Sequence, residues 1–160
     1  MVKIYKDSAI LEYLLIDYNN NKKIKEDARK YIVAKDICVG KRSNDNYSID
    51  SNIDCSEKLE KQVISLLNVS DYAKASLDPD CINLNSRSCN NYNYLSDVAS
   101  STWTLNVSSD TTYEVMYLSN GLMMPKNANS YNQYNIVIYI DGNTYFNGGT
   151  GSETSPFVIE

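Results

Sequence analysis

Residues 113–124 read Tyr113-Glu114-Val115-Met116-Tyr117-Leu118-Ser119-Asn120-Gly121-Leu122-Met123-Met124. Tyr113 to Leu118 mixes β-branched and aromatic residues, the composition of a strand. Asn-Gly is the favoured pair for a two-residue hairpin turn, whose central positions need a positive φ. Leu122-Met123-Met124 is then the return strand. Upstream, Trp103-Thr104-Leu105 adds a short strand. Downstream, Tyr134 to Ile140 is nearly all apolar and reads as a central strand covered on both faces. Asp141-Gly142-Asn143 turns the chain, and Pro156-Phe157-Val158-Ile159 closes it as an edge strand. Gly148-Gly149-Thr150-Gly151 lacks the Lys-Ser/Thr ending of a phosphate loop, and no helix pattern follows it, so it reads as a turn.

The N-terminal half is patterned differently. Ser8 or Asp7 caps a helix from about Ala9 to Asp17, with Ile10, Leu11, Leu14, Leu15 and Tyr18 on one face. Asn19-Asn20-Asn21 stops it. A second amphipathic helix is expected from Lys23 to about Val33, burying Ile24, Ala28, Tyr31 and Ile32. Residues 40–56 show no periodicity and read as loop. Val63 to Leu67 is a short apolar run, expected as a buried strand. Ser70 is the expected N-cap of a short helix over Asp71 to Ser76. The expected architecture is a single α+β domain over residues 1–160. Two N-terminal helices pack on a mixed, mainly antiparallel sheet of about five strands, with long loops between.

The chain has 160 residues and 42% apolar composition, enough for an autonomous core. Its net charge is −5, a poor match to nucleic acid, which needs concentrated positive charge. No apolar run is long enough to insert this segment in a membrane. With no histidine, the Ser-His-Asp and Cys-His triads and His-ligated metal sites are excluded. Residues 81–160 hold 2 basic and 6 acidic side chains and are rich in Tyr, Asn, Ser and Thr, a texture that suits an extracellular β-rich surface.

The four cysteines are Cys38, Cys55, Cys81 and Cys89. An even count without CxxC spacing argues for disulfides over zinc. Three connectivities exist, and proximity favours Cys38–Cys55 and Cys81–Cys89, each closing a polar loop. Closing a loop of ~15 residues contributes about 3 kcal/mol in the chain-entropy model. Disulfides persist in oxidising compartments, so an extracellular or cell-surface location is expected. No signal peptide is visible near Met1, so the export signal or anchor is expected upstream and the chain is read as a fragment.

Several segments resemble, in order, an uncharacterised family of Gram-positive surface domains without an assigned activity. Asp7-Ser8-Ala9-Ile10-Leu11-Glu12-Tyr13-Leu14 resembles its "S-x-I-R-x-Y/W-L-N" helix. Val69-Ser70-Asp71-Tyr72-Ala73-Lys74-Ala75-Ser76 resembles its "L-S-x-x-D-Y-x-x-A-S" segment. Cys89-Asn90-Asn91-Tyr92-Asn93-Tyr94-Leu95 with Trp103-Thr104-Leu105 resembles its "C-x-N-Y-N-Y-L…W-T-L" stretch. The tail from Gly149 to Ile159 resembles a "G-D-G-T-x-x-x-P-Y-I-I" ending. The resemblance implies an exported, often membrane-anchored protein. It also implies a likeness to the C-type-lectin-like and formylglycine-generating-enzyme-like folds. It departs at Asn135-Ile136, where those folds carry an Arg-Pro pair.

Tyr92, Tyr94, Tyr131 and Tyr134 lie in or beside polar loops and are the candidate ligand-binding residues, since Tyr offers a flat apolar face with a polar tip. Trp103 reads as a core anchor. Asp78, Asp80, Asp110, Asp141 and Asn143 lack the alternating spacing of a calcium loop and read as turn and cap residues, so no metal and no cofactor are expected. Glu114 and Asp141 carry no sign of an acid/base pair, so no catalytic residue is assigned. The function read from the chain is a non-catalytic extracellular module that displays loops to a glycan or protein ligand. The alternative is the globular head of a pilin-like or anchored subunit, which self-associates.

Overall fold

A computed structural model describes residues 8–20, 24–97, 100–150, 154–155 and 158–160. Helix α1 (Ala9–Asn19) starts at Ser8, whose Oγ accepts the Leu11 N–H. Strand β1 (Lys35–Cys38) pairs antiparallel with β2 (Lys58–Gln62), and the one-turn helix α2 (Ser51–Asp54) lies between them. Strand β3 (Ser65–Leu66) and helix α3 (Val69–Lys74) follow. Strands β4 (Ser101–Val107), β5 (Glu114–Ser119) and β6 (Leu122–Asn127) form an antiparallel meander. Strand β7 (Gln133–Tyr134) adds to β4 in parallel, giving the order β6-β5-β4-β7. Strand β8 (Ile136–Val137) leaves that sheet and pairs with β3.

The α+β class, the mainly antiparallel pairing and both disulfides, Cys38–Cys55 and Cys81–Cys89, agree with the sequence reading. The arrangement differs in four places. The expected five-stranded sheet is a four-stranded sheet with two separate strand pairs. The second N-terminal helix is one short 3₁₀ segment, Glu26–Tyr31, with no side-chain cap. The β-branched residues after it are drawn elsewhere: Ile32 bridges Ile140, and the Val33 N–H bonds the Tyr139 carbonyl. The apolar run from Tyr134 to Ile140 is not one central strand, because it crosses between two sheets at Asn135, whose Nδ2 donates to Thr102 Oγ1 (3.1 Å). Ser70 lies inside α3, and Asn68 holds the N-cap position without a side-chain bond. Of the expected terminal edge strand, Pro156 and Phe157 lie outside the described residues, and Ile159 bridges Phe146.

Two cores flank the four-stranded sheet. Leu11 and Leu14 of α1, with Ile37, Val39, Ile64 and Leu66, pack against Leu105, and Trp103 joins this side. Trp103 is half-buried against this core and meets Tyr117 edge-to-face at 6.0 Å. On the other side Val69, Tyr72 and Ala73 of α3 pack with Met116, Leu118 and Met123. Cys81 and Cys89 belong to this second core, so their disulfide is itself core material.

Charge also enters the interior. Arg42 and Asp54 are both inaccessible and pair at 2.7 Å. Arg42 Nε donates to the same Asp54 Oδ1 (3.1 Å), and its Nη1 donates to the Asn46 and Ser48 carbonyls (3.0 and 2.8 Å). Asn106 Nδ2 donates to Asp54 Oδ1 (2.8 Å). The first turn of α3 completes the network: Ser70 N–H bonds Asp54 Oδ2 (3.2 Å), and Val69 N–H bonds Asn106 Oδ1 (2.9 Å). The free N–H groups of a helix start need acceptors, and a carboxylate there also meets the positive end of the dipole. Here the acceptors come from α2 and β4 rather than from the local cap. Gly40 lets the chain close over α2, since a Cβ there would fall 2.7 Å from the Ile53 and Asp54 carbonyl oxygens.

The open edge of β6 is covered at one point by a side chain. Met123 N–H donates to Asn85 Oδ1 (2.8 Å), and Asn85 Nδ2 donates to the Met123 carbonyl (3.3 Å). Two residues on, with the same orientation, Pro125 has no N–H to offer. An amide mimic and a proline are two ways of blunting a sheet edge against strand addition.

Two outcomes follow. Arg42→Met leaves the Asp54 charge buried without its counter-ion and lowers stability by about 3–5 kcal/mol, read by denaturant unfolding with the disulfides intact. Asn85→Ala opens the β6 edge and produces concentration-dependent association in sedimentation velocity, where the wild-type chain shows none through that edge.

Candidate functional site

Residues 76–95 form a lobe over the second core. The Cys81–Cys89 bridge closes its central part, and the 3₁₀ turn Arg87–Asn90 carries Cys89. Ser76 bridges Asn93 as an isolated antiparallel pair, and Tyr94 N–H bonds the Ala75 carbonyl (3.4 Å). Asn91 Nδ2 donates to Asp78 Oδ2 (2.8 Å). These links set Leu77 across from Tyr92. Cys81 N–H bonds the Asp78 carbonyl (3.1 Å), and Ile82 N–H bonds that of Asp80 (2.9 Å), which completes the turn.

Asn93 is buried and holds the lobe from inside. Its Nδ2 donates to the Tyr72 and Cys89 carbonyls (2.8 and 2.7 Å), and its Oδ1 accepts the Leu95 N–H (2.8 Å). Asn90 Oδ1 accepts the Tyr72 hydroxyl (2.8 Å), and its Nδ2 reaches the Asn120 carbonyl of the hairpin turn. That contact fixes the turn residue. Gly121 has φ +76°, and a Cβ there would overlap Asn90 Oδ1 and the Tyr72 hydroxyl. Burial raises the Tyr72 phenol above its ordinary pKa.

Asn93 is turned inward, and four apolar side chains of the lobe are turned outward. Leu77 and Ile82 are each 76% exposed, Tyr92 80% and Tyr94 74%. Tyr92 is held in the left-handed region, φ 49°, an unusual place for a bulky residue. Strain of this kind persists only where the surroundings fix it, and it concentrates at sites that present a side chain. Asp78 lies at the rim. The Asn91 amide, and then the Asp80 N–H, hold its carboxyl below the usual carboxylate range. A depressed folded pKa adds stability above the unfolded pKa, and that contribution is lost as pH falls through the folded value.

The four candidate tyrosines are in different settings. Tyr92 and Tyr94 share the lobe. Tyr131 is 97% exposed in the segment between β6 and β7. Tyr134 is on β7, edge-to-face with Tyr13 of α1 at 6.3 Å, and is a packing residue. Burial, Asp17 and Tyr13, in that order, raise its phenol pKa. Leu77 and Ile82 were not singled out by sequence. Their one signal is an aliphatic side chain in polar sequence, Ile82 inside the Cys81–Cys89 loop and Leu77 just before it.

The remaining candidates are structural. Asp110 accepts the Asn44 N–H (2.8 Å), which holds its carboxyl below the usual range. Asp141 accepts the Asn143 N–H in a turn, while Glu114 accepts Asn44 Nδ2 and the Thr111 hydroxyl. Among the described residues no three Asp, Glu or Cys side chains group as a metal site. Gly148 and Gly149 have positive φ, the chain bends at Gly148, and Gly151 of the expected turn lies outside the described residues. A cleft of about 280 Å³ opens between the start of α1 and the sheet, lined by Ile10, Leu66, Trp103, Val107 and Val115 among others, with no ionisable side chain among the described residues that line it.

No family model, no curated protein and no solved structure matches the chain. No helix among the described residues is long and apolar enough to cross a membrane, and the two disulfides are consistent with an oxidising compartment.

Tyr92→Gly separates presentation from stability. Releasing a left-handed Tyr gains about 1–2 kcal/mol, and the added unfolded-state freedom of Gly costs about 0.5–1. The variant is therefore expected to be about 0.5–1 kcal/mol more stable in denaturant unfolding, and a loss of stability would mean that the side chain packs rather than presents.

Proposed function

We propose that this chain is a non-catalytic extracellular binding module, and that the Cys81–Cys89 lobe is its recognition surface. The observation that carries this reading is the outward set Leu77, Ile82, Tyr92 and Tyr94 on a lobe whose Asn90, Asn91 and Asn93 amides bond within the fold. Apolar groups held in water on a cross-linked frame are pre-organised for a partner and lose little freedom on binding. An oxidising, extracellular or cell-surface setting fits the two bridges, and the likeness to Gram-positive surface domains points the same way. The second reading, a self-associating subunit head, draws on the C-terminal arm, where Tyr145 and Val158 are also exposed.

The test uses the disulfide-intact chain against two probes, an array of immobilised glycans and a displayed peptide library. Binding of either probe that falls at least tenfold in Tyr92→Ser/Tyr94→Ser, with an unchanged melting temperature, supports the module. Binding indifferent to that substitution, or none at all together with polymerisation on concentration, overturns it in favour of the subunit.

A further inference from the structure

Resting on that reading, we infer that the partner of the lobe is a protein surface with an aliphatic or aromatic centre and a basic rim, rather than a glycan. Sugar recognition joins an aromatic platform to open planar polar groups that meet the hydroxyls. Here the amides nearest the tyrosines are already engaged: Asn91 on Asp78, Asn93 on Tyr72, Cys89 and Leu95, Asn90 on Tyr72 and Asn120. Two of the four outward side chains, Leu77 and Ile82, are aliphatic and offer no ring to stack on a sugar. Across the Ser76–Asn93 bridge Leu77 lies opposite Tyr92, which sets an aliphatic side chain beside an aromatic one.

Charge selects the kind of protein. The Asp78 carboxylate stays ionised at the rim and Asp80 is exposed beside it, against one basic side chain in the lobe, the exposed Arg87. A partner rimmed with Lys or Arg is complementary and is steered toward the lobe at low salt.

The experiment pans a displayed peptide library on the native chain and measures the enriched peptides at low and high salt. Two variants leave the lobe's hydrogen bonds intact: Ile82→Ser removes part of the centre, and Asp80→Lys reverses the rim. The expected peptides combine Leu, Ile, Phe or Trp with Lys or Arg. They lose about tenfold affinity in each variant, and their salt dependence shrinks in Asp80→Lys. Acidic peptides, or peptides that bind Ile82→Ser as well as native, overturn the inference. Glycan-array binding that vanishes in Tyr92→Ser/Tyr94→Ser overturns it while leaving the lobe as a recognition surface. The absence of lobe-dependent binding to either probe overturns both readings.

Discussion

The buried pair of Arg42 and Asp54 is the constraint around which the domain is arranged. An ion pair away from water is tolerable only when its remaining donors and acceptors are met. Here the second Arg42 branch is met by two loop carbonyls, and Asp54 is met by Asn106 and the first turn of α3. One carboxylate thus joins the 40–54 loop, the central strand β4 and the helix beneath the lobe. The Cys38–Cys55 bridge ends one residue beyond Asp54, so the covalent tie and the charge network hold the same point.

From that point the order reaches the surface by a short path. Asp54 and Asn106 start α3, Tyr72 of α3 bonds Asn90, and Asn93 bonds the Tyr72 carbonyl. The lobe that presents Tyr92 and Tyr94 is therefore positioned by the interior, while its disulfide lies in the core it covers. Loops that carry function on a rigid scaffold are the common arrangement, and here the scaffold is both covalent and hydrogen-bonded.

What the sequence made legible was local. The Asn120-Gly121 hairpin, the Ser8 cap of α1 and the two disulfide pairs each depend on residues near one another in the chain. The cap of α3 was illegible because its acceptor, Asp54, is 16 residues before Ser70, and the other, Asn106, is 37 after Val69. The apolar run 134–140 misled for a related reason: apolarity marks burial but not which sheet receives each residue, and Asn135 divides the run between two. In the candidate site, Tyr92 and Tyr94 were legible as tyrosines in polar loops, and no signal in the chain marked that Asn93 between them would face inward while Asn91 stays at the surface. Amide partners are chosen by tertiary contact.

The two bridges span only 17 and 8 positions, and the termini remain uncrosslinked to each other. If such a domain is pulled from its two ends, tension passes through sulfur at each bridge and bypasses the enclosed segments. About 80 Å of contour length is withheld from extension. Arg42 and Asp54 both sit inside the first bypassed ring, so the charge pair is sheltered from load even as the strands outside it peel apart.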